Sequence, residues 1–280
     1  MLVSAQIDAH LRDLTPAERR VAGVVADDPE AVAFGTVADV ARRAGASGAT
    51  VVRLAAKLGF EGFVELQGAV REEMTRRLRP ASERIRRPAA GDVLGRALEV
   101  EMGNVAATLE GVDRAAFDDA VRRLARRGTE RVLVLSGDAS SGVASLFAAE
   151  LSLLRPGVVL AAGSEVRVAR LLADAGPADL VVAVDLARYD RAVLDAAARA
   201  VAAGAGLLAL TDSAVSPLAA AAVVSLTASV AGAGPFDSHV GLLALANALL
   251  AGVAARRRRS ATDRLDRVES AWREAAVLTD

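Results

Sequence analysis

The sequence predicts two kinds of structure in succession: an all-α N-terminal domain, then an α/β domain built on a five-stranded parallel sheet. Between Thr36 and Phe60, apolar residues recur at helical spacing on both sides of a turn that contains glycine. From Arg131 onward, short apolar runs alternate with helical segments of about 10–15 residues, which indicates a parallel sheet covered by helices on both faces. The predicted divisions are a helix-turn-helix domain at 1–79, a linker and bridging helix at 80–112, and the α/β domain at 113–280.

The segment from Thr36 to Phe60 has the form of a helix-turn-helix, in which a short turn joins two helices. Gly45 stands where the first helix needs a left-handed residue. Ser47 stands where the second helix needs a side chain that accepts a hydrogen bond from a free backbone N–H. The positions predicted to face the core are all apolar: Val40, Ala41, Ala44, Val51, Leu54, Ala55 and Leu58.

The outer face of the second helix indicates DNA binding. Small residues there let the backbone approach a groove, Arg53 can donate two hydrogen bonds to a guanine edge, and Lys57 suits phosphate oxygens. The residues predicted to contact DNA are Arg42, Arg43, Ser47, Ala49, Thr50, Arg53 and Lys57. The alternative is a solvated helical hairpin with ordinary surface cations, because the local excess of positive charge is modest.

Further helices are predicted around this motif. Residues 2–14 have a short amphipathic pattern. Thr15, Pro16 and Glu18 then form a capping box for a helix that ends before Pro29. This helix and the pair at 36–60 are predicted to close a three-helix core, and another helix runs to about Leu78.

The region between the two domains is predicted to hold a connector and a bridging helix. Pro80 to Asp92 has two prolines and a charge cluster, and a solvated connector is expected there. Alternatively, the arginines of this segment contact a DNA backbone. These arginines are Arg84, Arg86 and Arg87. Val93 to Leu109 is periodic like a helix, and Asp113 is expected to cap a helix ending at Arg127 with Gly128 as its left-handed terminal residue.

The composition excludes several classes of protein. The 280 residues are 53% hydrophobic with only 3% aromatic residues, so the core must consist of Ala, Val and Leu. Cysteine is absent, which excludes disulfides and thiolate catalysis and favours a cytoplasmic location. No signal peptide is visible, and the uncharged stretches at 213–236 and 240–255 are predicted to be buried elements rather than membrane spans. The net charge of -1 gives no overall basic field.

The predicted strand ends offer a second candidate site, because ligands of open parallel sheets sit at the carboxyl ends of the strands. The residues selected there are Ser140, Ser141, Asp185, Arg188 and Ser213. The two adjacent serines precede a helix, where they either help to hold an anion or serve as plain N-caps. Arg188 either binds a phosphate or carboxylate or pairs with Asp185 or Asp190.

Three other features are interpreted as structural. His239 follows Ser238 at the start of a predicted helix, where a histidine is more often structural than catalytic. The four arginines at 256–259 suit the C-terminus of a helix, with phosphate binding as the alternative. Leu265, Val268 and Trp272 are predicted to form a packing stripe on the last helix. No nucleotide-binding or metal-ligand spacing is present, so neither a cofactor nor a metal is expected.

The order of these parts resembles the RpiR family of bacterial transcriptional regulators, in which a helix-turn-helix precedes a sugar isomerase (SIS) domain. The matching segments are LTPAERRVA at 14–22, VADVARRAGASGATVVRLAAKLGF at 37–60 and LTDSAVSPLA at 210–219. The resemblance implies a homodimer or higher homo-oligomer that binds double-stranded DNA and senses a phosphorylated sugar. Two positions depart from the family: Gly48 replaces a polar residue, and the segment 185–190 lacks the usual Ser/Thr-rich loop.

The expected function is therefore a DNA-binding regulator whose SIS domain senses a small anionic sugar derivative, without enzymatic activity. The first alternative is a sugar-phosphate isomerase that carries an additional helical domain. An isomerase needs a positioned acid and base, and the chain has only two histidines. The second alternative is a SIS domain that serves only for dimerisation.

Overall fold

The computed structural model describes residues 3–78, 85 and 92–277. Its N-terminal part contains a cluster of six helices that share one apolar core. Their bounds are α1 Val3–His10, α2 Pro16–Asp27, α3 Pro29–Phe34, α4 Val37–Arg43, α5 Gly48–Lys57 and α6 Phe63–Leu78. The core is therefore larger than the predicted three-helix core.

Helix α3 was not predicted from the sequence. Asp28 ends α2, and its side chain accepts a hydrogen bond from the Ala31 N–H, so that Pro29 opens a second short helix at once. Six residues are too few to show a helical period, and only Val32 and Ala33 are buried. The capping box of α2 is confirmed, with Thr15 and Glu18 bonded reciprocally.

The helix-turn-helix is confirmed as α4 and α5. Gly45 has a φ of 56°, and the N–H groups of Ala46 and Gly45 donate to the carbonyls of Ala41 and Arg42, which is the Schellman geometry. Ser47 caps α5 by accepting from the Thr50 N–H. A Cβ at Gly48 would lie 3.2 Å from Val37, so a small residue lets the two helices approach closely at this point.

The C-terminal part is a five-stranded, wholly parallel sheet in the order β2-β1-β3-β4-β5. The strands are β1 Val132–Ser136, β2 Val158–Leu160, β3 Leu180–Val184, β4 Gly206–Thr211 and β5 Val224–Thr227. The helices are α7 Val93–Gly111, α8 Arg114–Ala125, α9 Ser141–Leu154, α10 Glu165–Leu172, α11 Arg191–Ala202, α12 Pro217–Ala221, α13 Val240–Arg256 and α14 Arg258–Glu274. This agrees with the predicted class, apart from the short helix α12, which was not predicted.

Helices cover both faces of the sheet. The core on one face is shared with α8, α9 and α13, and the core on the other face with α10, α11 and α12. Helix α14 lies along α9, where Arg264 donates to the Ser152 carbonyl at 2.7 Å. The predicted stripe of Leu265, Val268 and Trp272 is only half-buried.

The predicted end of α8 is wrong. The helix ends at Ala125, with Arg126 extended, and Gly128 is not left-handed. Side chains from elsewhere bind its last carbonyls in place of a glycine motif: Arg155 donates to Leu124 at 2.7 Å, and Arg257 donates to Ala125 at 3.1 Å.

Helix α7 packs against α13 with a polar side. Its buried residues are Asn104 and Thr108, whereas Leu94, Leu98 and Met102 are 81%, 63% and 64% exposed. A Cβ at position 241 of α13 would lie 2.5 Å from the Thr108 hydroxyl, so Gly241 permits this close approach. The predicted connector lies almost wholly outside the described residues, as do Arg84, Arg86 and Arg87.

No single helix in the described part of the chain is long and apolar enough to cross a membrane. The helices α13 and α14 satisfy that test only as a pair, and they meet at an angle of 103°. Most of the apolar residues of α13 are buried against the sheet and its helices.

Candidate DNA-binding helix and effector site

The exposed surface of α5 holds Arg53 among small residues, together with Val52, which is 45% exposed, and Lys57. Ala49, Arg53 and Ala56 are exposed, and the four apolar residues of the opposite face are fully buried. Thr50 was predicted to lie on the flank, but it is only 4% exposed. Its hydroxyl lies 2.9 Å from the Ser47 hydroxyl and accepts from Arg53 at 3.2 Å, so Thr50 orients Arg53 on the surface.

The other predicted DNA contacts already have protein partners. Arg42 pairs with Asp39 and Arg43 with Asp28 on the exposed surface. Lys57 pairs with the buried carboxylate of Glu18 at 2.8 Å. Exposed ion pairs exchange readily with phosphate contacts because they are individually weak. The ion pair of Lys57 with the buried Glu18 is stronger than these exposed pairs. The sequence did not predict this structural role of Lys57.

Arg20 holds the turn of the motif. Its Nε donates to the Ala44 carbonyl at 3.0 Å and its Nη2 to the Gly45 carbonyl at 3.1 Å, so α2 clamps the C-terminus of α4. No local sequence pattern predicts that Arg20 binds this turn, because its partners lie 24 and 25 residues away.

The second candidate site lies at the carboxyl edge of the sheet. Strand β2 lies on one side of β1 and β3 lies on the other, so the strand order reverses between β1 and β3. Open parallel sheets bind ligands in the crevice at such a switch point. The loops that leave these two strands carry Ser140 and Asp185, so the fold brings the predicted residues to one edge.

Asp185 organises this crevice. Its carboxylate is 4% exposed and accepts from the N–H groups of Leu186 at 3.0 Å and Asp190 at 2.6 Å. Burial raises the pKa of Asp185, and the nearby Asp190 and Asp212 add to this effect, although the two N–H groups oppose it. A Cβ at Gly137 would lie 2.3 Å from the carboxylate, so glycine is required where β1 ends.

Ser140 does not act as the plain N-cap of α9. It is fully buried and makes no side-chain cap, and its hydroxyl lies 3.5 Å from Nε2 of His239. His239 precedes α13 and is half-buried. Sequence reasoning treated this histidine as structural, because nothing local relates two residues that are 99 positions apart.

The remaining predicted effector residues differ in exposure. Ser141 is exposed at the first turn of α9, and Ser213 is buried, accepting a backbone N–H from Val215 at 3.4 Å. Arg188 is exposed and has a φ of 71°, in a region that arginine rarely adopts. The neighbouring Tyr189 donates to Asp212 at 2.7 Å. Within the described residues, no cluster of three or more His, Asp or Glu side chains is placed to hold a metal.

Comparison with known proteins agrees with this architecture. Residues 1–77 match the helix-turn-helix domain of the rpiR family, and residues 127–252 match the SIS domain. The sugar isomerase domain of an RpiR transcription factor from Sphaerobacter thermophilus is 33% identical; the match covers 63% of this chain and 98% of that one, with a TM-score of 0.59. The chain belongs to the RpiR family of transcriptional regulators. No curated protein matches it.

One solved structure is similar over both domains. The NanR protein of Vibrio vulnificus, complexed with ManNAc-6P, is 20% identical, and the match covers 99% of this chain and 100% of that one with a TM-score of 0.61. This likeness concerns the fold. Together the comparisons confirm a helix-turn-helix domain followed by a SIS domain.

Proposed function

We propose that this RpiR-family chain is a homodimeric DNA-binding regulator whose SIS domain binds a small sugar-derived anion and thereby alters operator binding. The observation that carries the proposal is the exposed face of α5, where two alanines flank Arg53 and Thr50 orients its guanidinium. An arginine presented in this way suits the paired acceptors of a guanine edge.

DNA reading by this chain requires two copies. One short recognition helix contacts only a few base pairs, so two helices about 34 Å apart would read a two-fold symmetric site. The proposed phosphate contacts are Arg42, Arg43, Ser47 and Lys57, with Ala49 allowing close approach. Thr50, also predicted to contact phosphate, is buried and acts through Arg53 instead.

The test begins with selection of bound sequences from random duplex DNA by the full chain. We expect the selected site to be two-fold symmetric. We expect Arg53→Ala to lose about 1–3 kcal/mol of binding free energy for this site and to relax the preference for one base. The matched control is Arg19→Ala, an exposed arginine of α2 outside the recognition face. Equal affinities of wild type and Arg53→Ala would remove Arg53 from base reading.

The proposed effector site is the crevice that contains Ser140, Ser141, Asp185, Arg188 and Ser213, with His239 added. The strained backbone of Arg188 supports a binding role, because such conformations concentrate at functional loops. Arg188 and the first turn of α9 favour an anionic group, and the carboxylates favour sugar hydroxyls. The sugar phosphate bound by NanR supports a sugar phosphate as the ligand.

Thermal-shift screening with sugar phosphates and sugar acids tests this site. We expect a compound that raises the melting temperature of wild type and does so much less for Arg188→Ala. The control is Arg191→Ala, an exposed arginine at the start of α11. A ligand that stabilises both variants equally places the site elsewhere, and the absence of any ligand favours the dimerisation-only alternative.

We propose that the chain is not an enzyme, but one observation favours the isomerase alternative. His239 lies 3.5 Å from Ser140 at the crevice, so a candidate acid or base is present at the edge where substrates bind. Coupled assays over aldose and ketose phosphates should give background rates. Turnover that disappears in His239→Ala would establish the isomerase function instead.

A further inference from the structure

Seven arginines form a cluster at the amino edge of the sheet, away from the carboxyl edge that holds the proposed effector site. The cluster consists of the buried Arg155 and of Arg126, Arg127, Arg256, Arg257, Arg258 and Arg259. It joins the end of α8, the start of β2 and the junction between α13 and α14. The effector crevice is at the opposite, carboxyl edge.

Two side chains of the cluster are held together by adjacent carbonyls. Arg155 donates to Leu124 and Arg257 donates to Ala125, the last two residues of α8. Arg155 is 2% exposed, and its other donors bind the carbonyls of Thr129 and Pro156. The buried Nε of Arg257 has no hydrogen-bond partner within the described structure.

Acidic partners are lacking here. On α8, Asp119 pairs with Arg122 and Arg123, whereas Asp118 is exposed and forms no ion pair with a described residue; just before β3, Asp179 pairs with Arg131. None of the cluster's arginines forms an ion pair with any residue that the structure describes. Glu130 and Asp263 are nearby acids in sequence, and they are fewer than the cations.

The arginines repel one another. The pKa of Arg155 is lowered to about 10 by burial and then by the charge of Arg257. The pKa of Arg257 is lowered by burial and then by Arg127. The carbonyls at the end of α8 offset part of this repulsion, as cations at a helix C-terminus are favoured. They do not neutralise the exposed members of the cluster.

We infer that this arginine cluster binds phosphate-rich polyanions, at a site separate from the recognition helix and from the effector crevice. A chain of phosphates matches several guanidinium groups at once, and each guanidinium can bind a phosphate through two parallel hydrogen bonds. The inference explains why a chain of net charge -1 keeps unpaired arginines together at one edge. It does not depend on the identity of the effector.

The test uses two probes on the full chain: inorganic tripolyphosphate by calorimetry and a labelled single-stranded oligonucleotide by fluorescence anisotropy over a range of salt concentrations. The variant is Arg256→Gln, Arg258→Gln, Arg259→Gln, because these side chains are exposed and hold no other element. The matched control is Arg167→Gln, Arg170→Gln, Arg199→Gln, which removes the same charge from exposed positions on α10 and α11.

We expect the variant to bind the oligonucleotide at least about tenfold more weakly than the control. Because three charges are removed, we also expect the slope of log affinity against log salt concentration to become shallower by about 2. Loss of both probes identifies phosphate groups as the ligand, and loss of the oligonucleotide alone identifies a nucleic-acid backbone. Equal weakening by the variant and the control, or no binding by wild type, would overturn the inference. The operator test with Arg53→Ala is independent of either result.

Discussion

Lys57 has a structural role at the end of the recognition helix that is separate from any contact with DNA. Its ammonium donates to the Glu18 carboxylate at 2.8 Å and to the Asp13 carbonyl at 3.0 Å, so it joins α5 to α2. Glu18 is only 3% exposed. The pKa of Glu18 is lowered from 4.5 to about 2, first by the hydrogen bond from Lys57 and then by the Thr15 N–H.

Lys57→Met should therefore destabilise the protein in a pH-dependent manner. The lowered pKa of Glu18 means that its stabilising contribution is complete above pH 4.5 and is lost as the pH falls towards 2. We expect the free energy of unfolding, measured in urea, to fall by about 1–3 kcal/mol at pH 7 and by much less at pH 2.5. Arg53→Met is the control, because Arg53 has no acidic partner in the described structure. A loss that is the same at both pH values would contradict this assignment.

Elements with local signals were predictable, and elements that depend on distant partners were not. The five strands and the pair α4 and α5 follow from short apolar runs, helical spacing and the residues Gly45 and Ser47. The end of α8 was missed because Arg155 and Arg257 bind it from 31 and 132 residues away. The same reason explains why His239 was undervalued, since only the fold brings it to Ser140.

Helix α7 presents an apolar stripe to solvent and its polar side to its own domain. Leu94, Leu98, Met102 and Leu109 follow one another at helical spacing, and all are exposed in the single chain. A second copy of the chain is the partner that the proposed two-fold symmetric DNA site demands. In an antiparallel pair of α7 helices, Leu94 of one copy would lie opposite Leu109 of the other, so the stripe is complementary to itself.

If α7 forms the interface of the proposed dimer, Met102→Glu should dissociate that dimer, because it places a charge at the centre of this stripe. We expect sedimentation equilibrium to give a dimer dissociation constant at least about tenfold higher than that of wild type. The matched control is Val166→Glu, which makes the same kind of change at a residue that is 80% exposed on α10. Circular dichroism checks that both variants fold. An unchanged dimer in Met102→Glu, or a monomeric wild type, would exclude α7 as the interface.

At the scale of the whole molecule, hydrogen bonds connect α7 to the segment that precedes His239 at the proposed effector site. Asn104 accepts from the Ser229 hydroxyl and the Ala231 N–H at 3.0 Å each, and Thr108 accepts from the Ser229 N–H at 2.9 Å. Glu101 accepts from Ser238 at 2.5 Å. The segment held in this way leads directly to His239, which faces Ser140.

A contact of the α/β domain with the helix-turn-helix domain lies at the same edge of the sheet. Val215, in the loop after β4, packs against the core of the helix-turn-helix domain. This loop also belongs to the crevice edge of the sheet. We propose that an effector bound in this crevice would act on the DNA-binding domain either through α7 or through the loop that carries Val215.

Thr108→Val should weaken the coupling between effector and DNA if the signal travels through α7. The change keeps the shape of the side chain but removes the acceptor of the Ser229 N–H. In typical allosteric proteins an effector changes the affinity for the second ligand about 5–150-fold. We expect the factor by which the effector changes DNA affinity to fall severalfold in Thr108→Val, while DNA affinity without effector stays near that of wild type. Operator titrations with and without the effector give the factor directly. Thr129→Val, at the opposite edge of the sheet, is the control. Unchanged coupling in Thr108→Val together with its loss in Val215→Ser would assign the signal to the β4 loop instead.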